Sequence, residues 1–115
     1  MNMTDDISEF DVDSTKGKIR FRILEMENGL LLLISDSDKF RIGLSALAIP
    51  AGHGSNQPTS SGLFTAGLDA ALVRTLAERV AIWTNQTCMI VAGLKAFDQN
   101  VLMELTTILK SHLVT

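Results

Sequence analysis

From Lys18 onward, polar and apolar positions alternate. Lys18, Arg20 and Arg22 fall on one side and Ile19, Phe21 and Ile23 on the other. A period of two built from β-branched and aromatic residues predicts a half-buried strand beginning near Gly17. Asn28-Gly29 follows, a dipeptide suited to the positive φ angles of a type I′ turn, so a hairpin is expected into Leu30 to Ser35. This second strand reads Leu-Leu-Leu-Leu-Ile. It does not alternate as a strand with one wet face does, so both of its faces need cover. Asp36-Ser37-Asp38 marks the next turn, and Lys39 to Ile49 reads as a third strand ended by Pro50. Ile7, Phe10 and Val12, further upstream, either add a short strand or pack against the edge of the domain.

Residues 50 to 60 combine glycine, proline and small polar residues without a large apolar side chain, which predicts a surface loop. Ser60 or Ser61 is placed to cap a helix, and Leu68, Leu72, Leu76, Val80 and Trp83 recur at helical spacing. One helix is therefore expected over about 62–83. After a turn at Thr84-Asn85-Gln86, Thr87 to Gly93 reads as a central strand. Asp98 then caps a second helix whose apolar stripe runs through Val101, Leu102, Leu105, Ile108, Leu109 and Leu113. The order strand-strand-strand-helix-strand-helix predicts an α+β domain, an antiparallel sheet packed against two helices on one face. The expected organisation is an acidic, disordered arm over 1–6 and a single domain over 7–115.

Composition narrows the classes of function. A chain of 115 residues with 46% hydrophobic and 20% charged residues is ordinary globular material for one domain. Cys88 is the sole cysteine, so it has no internal disulfide partner, and a reducing cytoplasmic or nuclear setting is expected. The acidic start is unlike a secretory signal, and the longest apolar runs are too short to span a bilayer. Five acids precede the first base, four bases follow from Lys16 to Arg22, and the whole chain carries a net charge of −3. No basic field points to nucleic acid, and neither nucleic acid nor membrane is expected as a partner.

No catalytic constellation emerges. His53 and His112 have no second histidine or cysteine at ligand spacing, so no metal site is expected. Cys88 lies in an apolar strand, where a thiol is inert. Glu25/Glu27 and Asp36/Asp38 flank turns, where acids are usually solvated. Gly52-His53-Gly54-Ser55 lacks the Lys-Ser/Thr ending of a phosphate-cradling loop. What remains is more apolar surface than a small sheet and two helices can hide, concentrated at Leu31, Leu33, Met26 and the outer side of the third strand. An excess of this kind points to a protein partner. No enzyme activity and no cofactor are expected.

Several segments carry a family resemblance. Residues 21 to 34, Phe-Arg-Ile-Leu-Glu-Met-Glu-Asn-Gly-Leu-Leu-Leu-Leu-Ile, are similar to the opening hairpin of the proteasome assembly chaperone 4 family. Leu44 to Pro50 is similar to the next strand of that family, and a Ser/Thr-rich loop at 57–63 precedes a helix. Leu76 to Leu94 resembles its pattern of Leu-Ala near a helix end, Thr-Asn, then an apolar strand, and Asn100 stands near the start of the closing helix. The resemblance covers about residues 7 to 113, and the related chaperone 3 family shares the fold. It implies a non-enzymatic subunit that pairs with a related assembly-chaperone subunit or with itself, and that binds α-subunits during formation of the 20S proteasome α-ring. On physical grounds the partner-binding candidates are Leu31 and Leu33 for pairing, and Arg20 and Arg22 for polar recognition or register. The competing expectation is a roadblock- or profilin-like sensor or scaffold domain that binds a ligand or a trafficking partner.

Overall fold

The computed structural model describes residues 6–52, 57–63 and 68–114. The elements follow as β1 (Ile7–Ser14), β2 (Gly17–Met26), β3 (Gly29–Ser35), β4 (Leu44–Ile49), β5 (Thr59–Leu63), α1 (Leu68–Thr84), β6 (Thr87–Gly93) and α2 (Gln99–Leu113). The six strands form one sheet in the order β1-β2-β3-β6-β4-β5. The α+β class stands, with two more strands than the hydrophobic pattern placed. The sheet is mixed: β6 enters between β3 and β4, parallel to the first and antiparallel to the second. The chain must leave β3, build β4, β5 and α1, and return in the direction of β3, as parallel neighbours require a long crossover.

The predicted hairpin forms, but its turn differs. Met26 pairs with Gly29, so the two-residue turn is Glu27-Asn28. Among the described residues only Asn85 and Gly17 have positive φ, so Asn28-Gly29 is not a type I′ turn. Gly29 serves another purpose. A Cβ built there lies 2.3 Å from the Thr87 carbonyl oxygen, so only glycine lets β3 and β6 meet at this level.

Two further boundaries move. The third predicted strand begins at Leu44, not Lys39, because β4 pairs with β6 and the intervening chain has to step across one strand. That crossing segment passes closely over the sheet end: a Cβ on Gly93 would lie 2.5 Å from Arg41 Cγ. The buried Ser35 hydroxyl secures it, donating to the Lys39 carbonyl at 3.0 Å and accepting from the Ser37 amide at 3.1 Å. The second correction lies at 59–63, a strand on the edge beside β4 where the sequence predicts the end of a loop and the start of a helix. The free edge of β4 offers backbone partners there, while Gly62 disfavours helix. Ser60 accordingly caps nothing. Its hydroxyl donates to Glu78 on α1 and accepts from Arg74 Nε at 3.2 Å. Residues 1–5 of the arm expected over 1–6, the loop centre at 53–56 with His53, and residues 64–67 of the predicted helix lie outside the described residues.

Both helices lie on one face. α1 packs on β4, β5 and β6 and against α2. The core between the layers holds Phe21, Leu32, Ile34 and Ile90 from the sheet, with Leu76, Leu102, Leu105 and Leu109 from the helices. Asp98 caps α2 as expected, accepting from the Val101 amide at 2.9 Å. Asn85, with φ of 53°, turns the chain from α1 into β6, a left-handed position that asparagine tolerates.

Candidate partner-binding face

Side chains alternate across a sheet, so the helix-facing set leaves a second set pointing away. Strand register arranges that second set in rows. The first row runs Ile7, Leu24, Leu31, Met89, Leu47 and Ser61 across all six strands. The next runs Glu9, Arg22, Leu33, Val91 and Ser45, and a third runs Asp11, Arg20, Ser35 and Gly93. The first row is apolar over five adjacent strands. Neither helix covers it. Leu24, Leu31, Leu33, Met89 and Val91 are half-buried by their neighbours alone, and Leu47 and Ile49 are 38% and 50% exposed.

The β1 side of this face is charged. Arg22 is ion-paired with Glu9, and Arg20 Nε lies 3.4 Å from Asp11 Oδ1. The crossing segment folds over the same corner: Phe40 sits 5.8 Å and 5.9 Å from the Arg20 and Arg22 guanidinium carbons. Arg20 also donates to the Asp38 carbonyl at 2.5 Å. The four residues singled out in the sequence thus share one face. Arg22 stands directly opposite Leu33, so the apolar field meets a closed ionic border at that row. Leu47 belongs to the outer side of the third predicted strand, whereas the sequence pattern did not identify Leu24, Met89 and Val91 as members of this face. Their only sequence signal is apolar character at outward-facing positions, which becomes visible once register is known.

Chemistry of other kinds has little support among the described residues. No group of three or more His, Cys, Asp or Glu side chains is arranged to hold a metal ion. Cys88 is fully buried on the helix side of β6, and loss of hydration pushes its thiol pKa up to about 12, so it stays protonated and unreactive. His112 stacks on Phe10 with ring centroids 4.1 Å apart. Among the described residues no helix is long and apolar enough to cross a membrane.

What this arrangement can do is bind. A continuous apolar strip on a rigid sheet, closed on one side by paired charges, suits a second flat surface stacked upon it. No family model matches the chain, and no curated protein does. Among solved structures, the chain is similar to one in the crystal structure of a chaperone complex for yeast 20S proteasome assembly. The TM-score is 0.64 at 13% identity, over 94% of this chain and 98% of the other. The two share a fold over nearly their full lengths.

Proposed function

We propose that this chain is a non-enzymatic assembly chaperone of the proteasome assembly chaperone 4 type. In this reading it pairs with a structurally similar subunit, either itself or a related chain, and the pair binds α-subunits while the 20S α-ring forms. The observation that carries the proposal is the apolar row from Ile7 to Leu47, left uncovered by the chain's own helices. The fold shared with a subunit of a proteasome-assembly chaperone complex supports the same reading.

Leu31 and Leu33 lie in the middle of the pairing surface in this proposal, with Leu47 and Met89 beside them. Arg20 and Arg22 act at its border. Both guanidinium groups are already satisfied within the chain, so they contribute by fixing where the apolar field ends and by setting register. Charges in such positions govern partner choice and association rate more than raw affinity. Action is stoichiometric: the pair holds α-subunits and is released as assembly proceeds.

The test is affinity capture of the tagged full chain from its source cells, read by mass spectrometry. Co-capture of 20S α-subunits with a second small chaperone-like chain, or with a second copy of this one, is expected. Reproducible capture of a different partner set without proteasome subunits would overturn the assignment and favour a scaffold domain.

A further inference from the structure

The open face carries two thioethers among its leucines. Met89 occupies the middle of the apolar row, with Leu31 on one side and Leu47 on the other in register. It is half-buried by the subunit's own side chains. Met26 continues the field one row further along β2. It points the same way as Leu24, two residues before it, away from the helices. Its cross-strand partner is Gly29, which has no side chain to lie against it, and Met26 is 54% exposed. The third methionine among the described residues, Met103, belongs to α2, on the other side of the sheet, and is 58% exposed.

A thioether fills space much as leucine does, but its sulfur can be oxidised. With hydrogen peroxide one oxygen atom passes to the sulfur. The O–O bond breaks, the S=O bond forms, and the peroxide, reduced by two electrons, leaves as water. The product, methionine sulfoxide, is polar and carries a new acceptor. At position 89 that acceptor is flanked in its row by Leu31 and Leu47, whose side chains have no donor to offer. In the free subunit water satisfies it. Against an apolar partner surface it stays unsatisfied, so oxidation penalises the paired state selectively. Pairing in turn removes both sulfurs from water and from peroxide. We infer that Met26 and Met89 are reversible redox-modification sites that gate pairing: peroxide oxidises them in the free subunit, the sulfoxides hold that subunit unpaired, and methionine sulfoxide reductases return it to the pairing-competent form. The inference rests on the reading of the open face as the pairing surface. Cys88 takes no part, because its thiol is fully buried on the helix side of the sheet.

The test uses the tagged full-length chain purified gently from its source cells, with sedimentation velocity locating the concentrations at which it is paired and, after dilution, free. Both samples are exposed to hydrogen peroxide, and oxidation of each methionine is followed by peptide mass spectrometry. Met26 and Met89 should oxidise more slowly in the paired sample, while Met103 keeps one rate in both. The sample oxidised while dilute, once reconcentrated, should pair roughly ten- to a hundredfold more weakly, with unchanged circular dichroism. Treatment with the reductases for both sulfoxide epimers should restore pairing. The Met26→Leu/Met89→Leu variant should pair normally and stay paired after the same exposure, although Met1, Met3 and Met103 remain in it. Absence of any pair in the untreated sample would overturn the pairing reading, and this inference with it. A pair that forms but is indifferent to peroxide would overturn the inference alone. Equal loss of pairing in the double-leucine variant would do the same, as would oxidation of Met26 and Met89 at one rate in paired and free samples. Loss of the folded circular dichroism signal on oxidation would also overturn it, since the subunit would then be unfolding and not merely failing to pair.

Discussion

Replacing Leu47 with Asp tests the open face most directly. The side chain is already 38% exposed, so the isolated subunit tolerates a polar replacement, losing about 1 kcal/mol of packing against its cross-strand neighbour Met89. The proposed paired state responds differently. Fully burying a leucine is worth about 1.5–3 kcal/mol, and the exposed fraction of Leu47 leaves roughly 1 kcal/mol to be gained on pairing. The variant forfeits that gain. It also carries a carboxylate into a strip formed by Leu31 and Met89, where unpaired burial of a charge costs several kcal/mol. Taking about 2 kcal/mol for the second effect, the total of about 3 kcal/mol corresponds to more than a hundredfold weaker pairing for each altered face. The assay is sedimentation velocity on the tagged chain purified gently from its source cells, which reports a self-pair or a mixed pair alike. The control is Ile82→Asp on α1, at a residue 59% exposed on the helix side. Leu47→Asp should sediment as the free 12.5 kDa subunit with unchanged circular dichroism. If Leu47→Asp stays paired while Ile82→Asp dissociates, the pairing surface is the helical one and the reasoning fails.

Three other outcomes follow from the same geometry. Leu33→Asp should also dissociate the pair, but less completely than Leu47→Asp, because Arg22 stands directly opposite and can share its charge; sedimentation of the two variants side by side checks the ranking. Gly29→Ala should lower the thermal midpoint sharply, since its Cβ meets the Thr87 carbonyl backbone at 2.3 Å; a midpoint equal to wild type would contradict that approach. Hydrogen bonds from Lys16 and the Val101 amide lower the Asp98 pKa below its usual 3.8. A lowered folded-state value gives stability that is present above the unfolded pKa and lost as pH falls through the folded one. Asp98→Ala should therefore lower urea-unfolding stability at neutral pH and flatten its decline below about pH 4.

Much of this fold is legible in the chain. Alternation at Lys18–Ile23 marks β2, the five-residue apolar run marks β3 with apolar side chains on both faces, and the stripe from Val101 to Leu113 with Asp98 before it marks α2. These signals are local. They arise from side-chain period and from a cap whose partner lies three residues away. The doubly apolar character of β3 also announced an uncovered surface, and Leu31 and Leu33 indeed face away from the helices.

The tertiary structure decided the rest, because the deciding contacts are distant in sequence. Where β6 inserts between β3 and β4 depends on a crossover, and no local pattern records it. That insertion joins Leu31 to Met89 and Met89 to Leu47, turning scattered apolar residues into one strip. It also obliges residues 36–43 to bridge a strand, so a segment with strand-like alternation at Phe40 and Ile42 runs as a loop. At 59–63 the free edge of β4 outweighed the weak helical cue of Ser60 and Ser61, since an available row of backbone partners stabilises a strand more than a cap stabilises a turn containing glycine. Sequence alone thus determined the local elements and the surplus of apolar side chains. Strand order and register determined where that surplus gathers, because only they set Leu31, Met89 and Leu47 side by side on neighbouring strands.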